Sequence, residues 1–399
     1  MSRLRVLFAP LGHILAHRSR CLAVAEEMRD RGHAVGFLCV PGEEALIAAR
    51  GLEPLPVYHM PASALRAFGV PMAYQLRVQA EGHALPESGS FGVAQMAADD
   101  LAAYETFSPD VVVWDGRPTT PLTASLQGIV AIGINNLSMP VSDEEAPDSL
   151  RARFRTEFAE HMLPMVGASA QHARLQRHLS WIVPGLPATE NAAKLGLLGN
   201  PVHVHIGALH WRGWDELPVP TALTPGRPRI LLTLGSTFPF PQQALALASA
   251  LADEGYEAVV NMHDLEADAV LQPGVLVQRR LNLRRYLQTC VAVVHHGGHG
   301  TAVEALRAGV PALMLPFNED QMDIARRLSG LGCGLSLPSY PGDLNIIEAR
   351  DALRRLVAEP EFKAQAVRFQ NELTRLPEGA VLAADFIERR VPQVRRVLA

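Results

Sequence analysis

Short apolar runs alternate with longer amphipathic stretches from the start of the chain. Residues 4–9 form a β-branched and apolar run, and Leu22, Ala25 and Met28 then recur at a spacing of three. A bounded apolar run is typical of a buried strand, and a spacing of three or four is typical of one helix face. A second apolar run follows at residues 34–40. The pattern predicts a strand, a crossover helix and a second, parallel strand.

The same alternation continues along the chain with one interruption. Between residues 210 and 228 the periodicity is lost in a segment rich in Trp, Pro and Gly, which is typical of a linker. The apolar runs on either side are separated by stretches long enough for helical crossovers. We predict further buried strands at residues 111–114, 130–134, 202–206, 229–234, 257–261, 275–278, 291–295 and 312–315. Two α/β halves of the doubly wound type are therefore expected.

The interruption also sets the predicted domain limits. A chain of 399 residues exceeds the size at which one core usually keeps growing. We place an N-terminal domain at residues 1–212, a linker at 213–228 and a C-terminal domain at 229–379. The remaining segment, 380–399, is predicted to be a helix interrupted by Pro392, since proline cannot continue the helical hydrogen-bond ladder.

Composition narrows the class of protein. The chain is 48% hydrophobic and 19% charged, with a formal net charge of -5, so nothing favours nucleic acid or an anionic membrane as a partner. No apolar run approaches the length of a membrane span or a signal peptide, and we expect a cytoplasmic protein. Four cysteines without paired spacing predict neither a disulfide framework nor a cysteine-based zinc site.

The most informative stretch follows the strand predicted at residues 291–295. Gly297, Gly298 and Gly300 precede a helix, and glycines allow backbone amides to approach an anion at the positive end of that helix. Thr301 adds a hydroxyl donor, and His296 is placed to donate to a phosphate oxygen of a departing diphosphate. The stretch predicts a nucleoside diphosphate site that needs no metal.

Three polar residues near this turn fit the rest of a nucleotide sugar. Glu304 lies on the opening helix, where a carboxylate accepts hydrogen bonds from ribose hydroxyls. Asp320 and Gln321 follow the next strand, at the carboxyl edge where open α/β sheets bind ligands, and they suit sugar hydroxyls.

These residues resemble glycosyltransferase family 1 and its bacterial enzymes of the antibiotic and macrolide type. The match covers His-Gly-Gly-x-Gly-Thr, Glu-Ala-Leu, Gly-Val-Pro and Pro-x-x-x-Asp-Gln in order. The resemblance implies the GT-B fold, in which two Rossmann-like β/α/β domains face each other across a cleft. The first domain would bind the acceptor, the second the nucleotide sugar, and the last helix would cross back to the first domain.

The same resemblance implies residue roles. Glu304 would contact the ribose, and Asp320 with Gln321 the transferred sugar. The diphosphate would be contacted by Ser236, Thr237, His296, Gly297, Gly298, Gly300 and Thr301.

One departure from the family concerns the nucleotide base. About sixteen residues before the motif histidine the family usually has Trp-x-Pro, whereas this chain has Arg280, Leu281 and Asn282. A guanidinium can stack on a base, so Arg280 and Leu281 are the predicted base contacts. The choice between uridine and thymidine diphosphate stays open.

The predicted catalytic base is His17. It precedes His33 by sixteen residues, which is the spacing of the catalytic histidine in the family. His13, inside a literal Gly-His pair, is the alternative candidate. Asp115 ends a predicted strand on the same edge of the sheet and resembles the family's partner aspartate, which would fix the imidazole tautomer.

No metal and no cofactor is predicted. The chain has no Asp-x-Asp triplet, the motif with which other glycosyltransferases hold a divalent ion. His203 and His205 share one face of a strand, but no third ligand is apparent nearby.

The resulting hypothesis is an inverting, metal-independent glycosyltransferase. It would move a sugar from a UDP- or dTDP-sugar to a small-molecule acceptor, a natural product in antibiotic biosynthesis, and act as a monomer or homodimer. Two alternatives remain at this stage. The stretch HRSRCLAVA also resembles nucleotide-sugar hydrolases, and the missing Trp and Pro near Arg280 would suit a non-catalytic binding subunit.

Overall fold

The computed structural model contains two seven-stranded sheets, one from each half of the chain. It describes residues 3–60, 90–138, 150–166, 179–197, 199, 201–221, 225–235, 241–262, 268–337 and 344–398. Within these ranges all strand pairs of the first sheet are parallel, and in the second only one edge pair is antiparallel. The prediction of two doubly wound halves is confirmed.

The first sheet has the strand order β3-β2-β1-β4-β5-β6-β7. Its strands are β1 (Arg5–Pro10), β2 (Ala34–Cys39), β3 (Glu53–Pro56), β4 (Val111–Asp115), β5 (Val130–Ile134), β6 (Ser180–Val183) and β7 (Val202–His205). The helices of this half are α1 (Leu15–Asp30), α2 (Glu44–Ala49), α3 (Val93–Phe107), α4 (Thr120–Leu126), α5 (Leu150–Val166) and α6 (Ala192–Leu197). Short 3₁₀ turns lie at Pro187–Thr189 and Arg212–Glu216.

The second sheet repeats this arrangement in the order β10-β11-β9-β8-β12-β13-β14. Its strands are β8 (Arg229–Thr233), β9 (Glu257–Asn261), β10 (Ala269–Gln272), β11 (Val275–Gln278), β12 (Cys290–His295), β13 (Ala312–Met314) and β14 (Gly334–Ser336). Its helices are α7 (Pro241–Asp253), α8 (Leu283–Leu287), α9 (His299–Arg307), α10 (Glu319–Gly330), α11 (Ile346–Ala358) and α12 (Pro360–Thr374), and the chain ends in α13 (Gly379–Leu398).

In each sheet the strand order reverses beside the first strand. The reversal lies between β1 and β4 in the first sheet and between β8 and β12 in the second. Loops at the carboxyl ends of strands splay apart at such a point, and ligands of open α/β sheets bind there. The predicted base follows β1, and the predicted glycine turn follows β12.

The last helix corrects one expectation. The sequence predicts an interruption at Pro392, but α13 is one helix with this proline inside it. Its apolar stripe, which includes Ile387, Val391 and Val394, is buried in the core of the first half. The free energy of this packing outweighs the one backbone hydrogen bond that proline removes.

Helix α13 therefore follows the last elements of the second sheet and packs on the first, chiefly against α1. The limits of the two domains and the linker are not tested by this packing and stay a prediction.

Candidate functional site

A histidine and an aspartate meet at the carboxyl edge of the first sheet. His17 lies in the first turn of α1, and Asp115 is the last residue of β4. The imidazole Nδ1–H donates to Asp115 Oδ1 at 2.5 Å. The His17 side chain is 23% exposed and that of Asp115 only 2%. The structure thus brings together the two predicted catalytic residues and leaves the far ring nitrogen for a substrate proton.

The same carboxylate binds a residue that the sequence reasoning missed. Arg20 lies one helical turn after His17 and donates hydrogen bonds to both carboxylate oxygens of Asp115. Its Nε donates to Oδ2 at 2.7 Å and its Nη2 to Oδ1 at 2.8 Å. Burial alone would raise the pKa of Asp115, but the charges and hydrogen bonds of Arg20 and His17 hold it below its usual value. Asp115 is therefore ionised at neutral pH.

Gly116 packs directly against the His17 ring. Its φ is +75°, a conformation that favours glycine, and a Cβ there would stand 2.8 Å from His17 Cε1. We expect Gly116→Ala to displace the imidazole and to lower the rate of transfer by about 10- to 100-fold, because small misplacements of a catalytic group are costly. Steady-state kinetics of the purified variant would measure this loss.

A matched control is available at Gly42. This residue has a φ of +96°, and a Cβ added to it would meet no atom of the described residues within 4 Å. Gly42→Ala carries comparable backbone strain without touching His17. Equal rate losses in both variants would contradict the role given to Gly116.

The alternative base has different surroundings. His13 is exposed, and its ring approaches the His59 ring edge-on, at 6.0 Å between centroids. His59 accepts a hydrogen bond from the Gly12 amide, and burial lowers the pKa of His59 to about 3. His13 thus lies beside a neutral ring, whereas His17 is paired with a carboxylate.

The predicted glycine turn is found directly after β12. Gly297 has a φ of +84°, and a Cβ on it would stand 2.8 Å from the Gln321 carbonyl oxygen. Its amide donates to His295 Nδ1 at 3.0 Å. Gly298 is the N-cap of α9, and Gly300 in its first turn has no described neighbour within 4 Å of a Cβ position. The open side of this helix start is therefore at Gly300 and Thr301.

His296 packs tightly into this turn. Its ring lies against the backbone of Gly235, in the loop that follows β8, and against Phe317 at 5.9 Å between ring centroids. Burial lowers the pKa of His296 to about 4. At neutral pH the ring is therefore uncharged, and the Thr233 backbone accepts a hydrogen bond from it. Ser236 and Thr237, predicted to face the phosphates, lie outside the described residues.

The predicted ribose ligand has a protein partner. Arg284 donates from Nε to Glu304 Oε2 at 3.0 Å and from Nη2 to Glu304 Oε1 at 2.8 Å. Arg284 also contacts Glu378. An ionised carboxylate has about four acceptor positions, so Glu304 keeps capacity for hydroxyl donors. Sequence reasoning missed Arg284, although it stands twenty residues before the motif carboxylate in a run of basic residues.

The two residues predicted to contact the nucleotide base lie in different environments. Arg280 is exposed just before α8, while Leu281 is 6% exposed and belongs to the apolar core of the second half. Of the pair, the guanidinium is the side chain available to a ligand.

The two predicted sugar contacts begin α10. Gln321 is buried, and its Oε1 accepts a hydrogen bond from the Phe317 amide at 3.0 Å, which fixes the orientation of the side-chain amide. Asp320 lies beside the first half, where Ser138 Oγ donates to Asp320 Oδ1 at 3.4 Å. The sugar-binding edge of the second sheet is thus in contact with the N-terminal half.

Two further contacts, not predicted from the sequence, lie at this place. His299 Nε2 donates to Glu190 Oε1 at 2.8 Å and so joins the two halves, and Lys194 Nζ donates to the Ser138 carbonyl at 2.6 Å. Burial opposes the charge of Arg20, but Asp115 and, more weakly, Glu190 hold the pKa of Arg20 above its usual value. The cluster of His17, Arg20 and Asp115 and the glycine turn therefore both lie beside the region where the two halves of the chain meet.

The signal that could have pointed to this zone was compositional. Lys194 is one of just two lysines in the chain, so its position stands out among the many arginines. Glu190 and His299 carry no comparable local signal.

Other kinds of site find no support in the described ranges. Across the part of the chain that the structure describes, no His, Cys, Asp and Glu side chains form a group of three suited to a metal ion. No described helix combines the length and apolarity needed to cross a membrane.

Comparisons with known proteins identify the family of this chain. The family described as erythromycin biosynthesis protein CIII-like, C-terminal domain, matches residues 246–388. The TDP-daunosamine transferase DnrS of Streptomyces peucetius is 31% identical over 304 residues, covering 71% of this chain and 68% of the relative. The chain belongs to the natural-product glycosyltransferases of family 1.

A second relative and a solved structure match nearly the whole chain. The aklavinone 7-beta-L-rhodosaminyltransferase of Streptomyces galilaeus is 28% identical, and the alignment covers 95% of this chain and 94% of that enzyme. The glycosyltransferase SsfS6 of Streptomyces sp. SF2575, solved with thymidine diphosphate, superimposes with a TM-score of 0.68 at 22% identity, over 97% of this chain and all of that one. The predicted GT-B fold is confirmed, and the protein is a nucleotide-sugar-dependent glycosyltransferase.

Proposed function

We propose that this glycosyltransferase moves a deoxysugar from a thymidine diphosphate donor to a hydroxyl of a small natural-product acceptor, with inversion and without a metal. The observation that carries the proposal is the 2.5 Å hydrogen bond between His17 and the buried carboxylate of Asp115. A base with a fixed tautomer would then stand beside the zone where the two halves meet.

The donor assignment combines geometry with the relatives. The start of α9 offers glycine amides and the Thr301 hydroxyl to a diphosphate, as helix N-termini commonly do. One relative is named for TDP-daunosamine, and one solved neighbour holds thymidine diphosphate. We extend this nucleotide to the present chain, with Arg280 stacking on the base and Glu304 receiving ribose hydroxyls.

The chemical step is a single displacement. His17 Nε2 takes the proton of the acceptor hydroxyl while the acceptor oxygen forms a bond to the anomeric carbon. The bond from that carbon to the diphosphate breaks, and its electron pair leaves with thymidine diphosphate. Attack opposite the leaving group inverts the anomeric centre. Asp115 stabilises the imidazolium that forms.

We expect uncharged hydrogen-bond donors to stabilise the negative charge on the leaving diphosphate. We expect the amides and the dipole at the start of α9 to lie where negative charge would develop, with the uncharged His296 ring beside them. Preorganised donors of this kind can take over the part that a divalent ion plays in other glycosyltransferases. Asp320 and Gln321 would orient the sugar hydroxyls.

Calorimetric titration and product analysis test this proposal. We expect thymidine diphosphate to bind at least about tenfold more tightly than uridine diphosphate, a difference of ~1.4 kcal/mol. With TDP-daunosamine as donor and aklavinone as probe acceptor, we expect a glycoside of inverted configuration and no loss of rate in EDTA. Free sugar as the sole product would instead support the hydrolase alternative, and absence of heat with both nucleotides would contradict the donor site.

A further inference from the structure

The contacts of Arg20 are unusual for an arginine on a helix. The residue is 8% exposed, and its guanidinium holds both oxygens of Asp115. Its Nη2 also lies 2.9 Å from His17 Nδ1. Three side chains, His17, Arg20 and Asp115, thus form one closed cluster.

The cluster restricts the orientation of the carboxylate. A guanidinium is planar and binds carboxylates through two parallel hydrogen bonds, so it fixes the plane of the Asp115 carboxylate as well as its position. His17 Nδ1–H then donates to Oδ1 of this fixed group. Removal of Arg20 would leave the buried carboxylate free to rotate about its side-chain bonds.

The cluster also restricts the charge at the imidazole. Asp115 alone would favour the protonated ring, because opposite charges attract in a buried site. The neighbouring guanidinium offsets that carboxylate charge. The other groups that face Arg20 are Cys21, whose thiol pKa is raised well above its usual value by burial, and Glu190, which is ionised. Of these two residues, only Glu190 carries a negative charge, and its carboxylate pairs with His299 of the second half.

The tautomer follows from the same contacts. Arginine can only donate hydrogen bonds and an ionised carboxylate can only accept them. Nδ1 therefore either donates to Asp115 or accepts from Arg20. Because Arg20 already has both of its forked donors on Asp115, the first arrangement satisfies every group, and it leaves Nε2 unprotonated for the acceptor.

We propose that Arg20 is a positioning residue of the base, which holds Asp115 in place and offsets its charge so that His17 remains an unprotonated imidazole over a wider pH range. This inference rests on the proposed role of His17. It extends that role because Arg20 would set the pH below which His17 is protonated and transfer fails.

The test measures the protonation of His17 directly and the reaction separately. Two-dimensional NMR of histidine-labelled protein, with His17→Asn for assignment, gives the pH midpoint of the His17 ring resonance. Release of thymidine diphosphate from TDP-daunosamine, with aklavinone present, gives the acid limb of the rate profile and counts transfer and hydrolysis alike.

In Arg20→Met we expect both the ring midpoint and the acid limb to move upward by about one pH unit, the low end of shifts caused by a neighbouring charge. Arg20→Gln removes the charge but keeps one donor, and it should show the same shift if the methionine variant fails to fold. Arg20→Lys keeps the charge without the fork, so its midpoint should stay near that of the parent while turnover falls about tenfold.

Arg18→Met is the matched control. Arg18 lies on the same helix next to His17, but it pairs with Glu43 and not with Asp115. This variant should leave the midpoint within about 0.3 pH unit of the parent. Unshifted midpoints in both Arg20→Met and Arg20→Gln would overturn the inference.

The outcome also separates this inference from the function on which it rests. An active His17→Asn enzyme would refute the base itself. An inactive His17→Asn enzyme together with an unshifted Arg20→Gln profile would refute only the role given to Arg20.

Discussion

Replacing His17 with alanine is expected to lower turnover by about 10²- to 10⁴-fold, the range that general-base catalysis contributes. The acceptor hydroxyl would keep its proton while the anomeric carbon develops positive charge. Binding of thymidine diphosphate should not change, because the proposed donor contacts all come from the second half of the chain. Turnover is measured by product formation and binding by calorimetry.

His13→Ala is the control for this substitution. His13 lies just before the start of the same helix but contacts His59 rather than a carboxylate. Its loss should change turnover by less than about threefold, since no step depends on it. A larger effect in His13→Ala than in His17→Ala would reverse the assignment of the base.

Replacing Gly300 with valine is expected to weaken thymidine diphosphate binding by about 100-fold, or ~2.7 kcal/mol. A Cβ at Gly300 meets no described atom within 4 Å, so the side chain would not disturb the fold. It would instead occupy the space in front of the α9 amides, where close approach of the backbone to an anion requires glycine. Calorimetric titration with thymidine diphosphate measures the loss.

Gly330→Val provides the same change elsewhere. Gly330 is also helical, at the end of α10, and its Cβ position is likewise free of described neighbours. Both variants should melt within a few degrees of the parent, since a helical glycine-to-valine change alters stability only slightly. Normal nucleotide binding by Gly300→Val would remove the phosphates from this turn.

The strands that are buried on both faces could be predicted from the sequence because their apolar runs are continuous. The structure confirms all ten predicted strands, usually within one residue at each end. Four strands were missed because they are short or atypical: β3 contains Pro54 and Pro56, β6 and β14 have four and three residues, and β10 is an exposed antiparallel edge. In such segments the partner strand, not the local sequence, decides the structure.

The candidate site was predictable where it is encoded in a local motif. His17, the glycine turn and the Glu304 to Gln321 stretch were proposed from spacing and from the family resemblance, and their placement follows the strand ends. Arg20 and Arg284 were missed because a basic residue on a helix is usually solvated, and only the tertiary fold brings each one to a carboxylate. The pairing of Glu190 with His299 was missed for the same reason, since the two are 109 positions apart in the chain.

The closing helix α13 has a practical consequence for work with fragments. Because Ile387, Val391 and Val394 complete the apolar core of the first half, a fragment that stops before residue 379 would carry an uncovered apolar surface and would be prone to aggregate. Swapping one half into another enzyme of this kind therefore means moving α13 together with the N-terminal sheet, so that hybrid enzymes need two junctions instead of one.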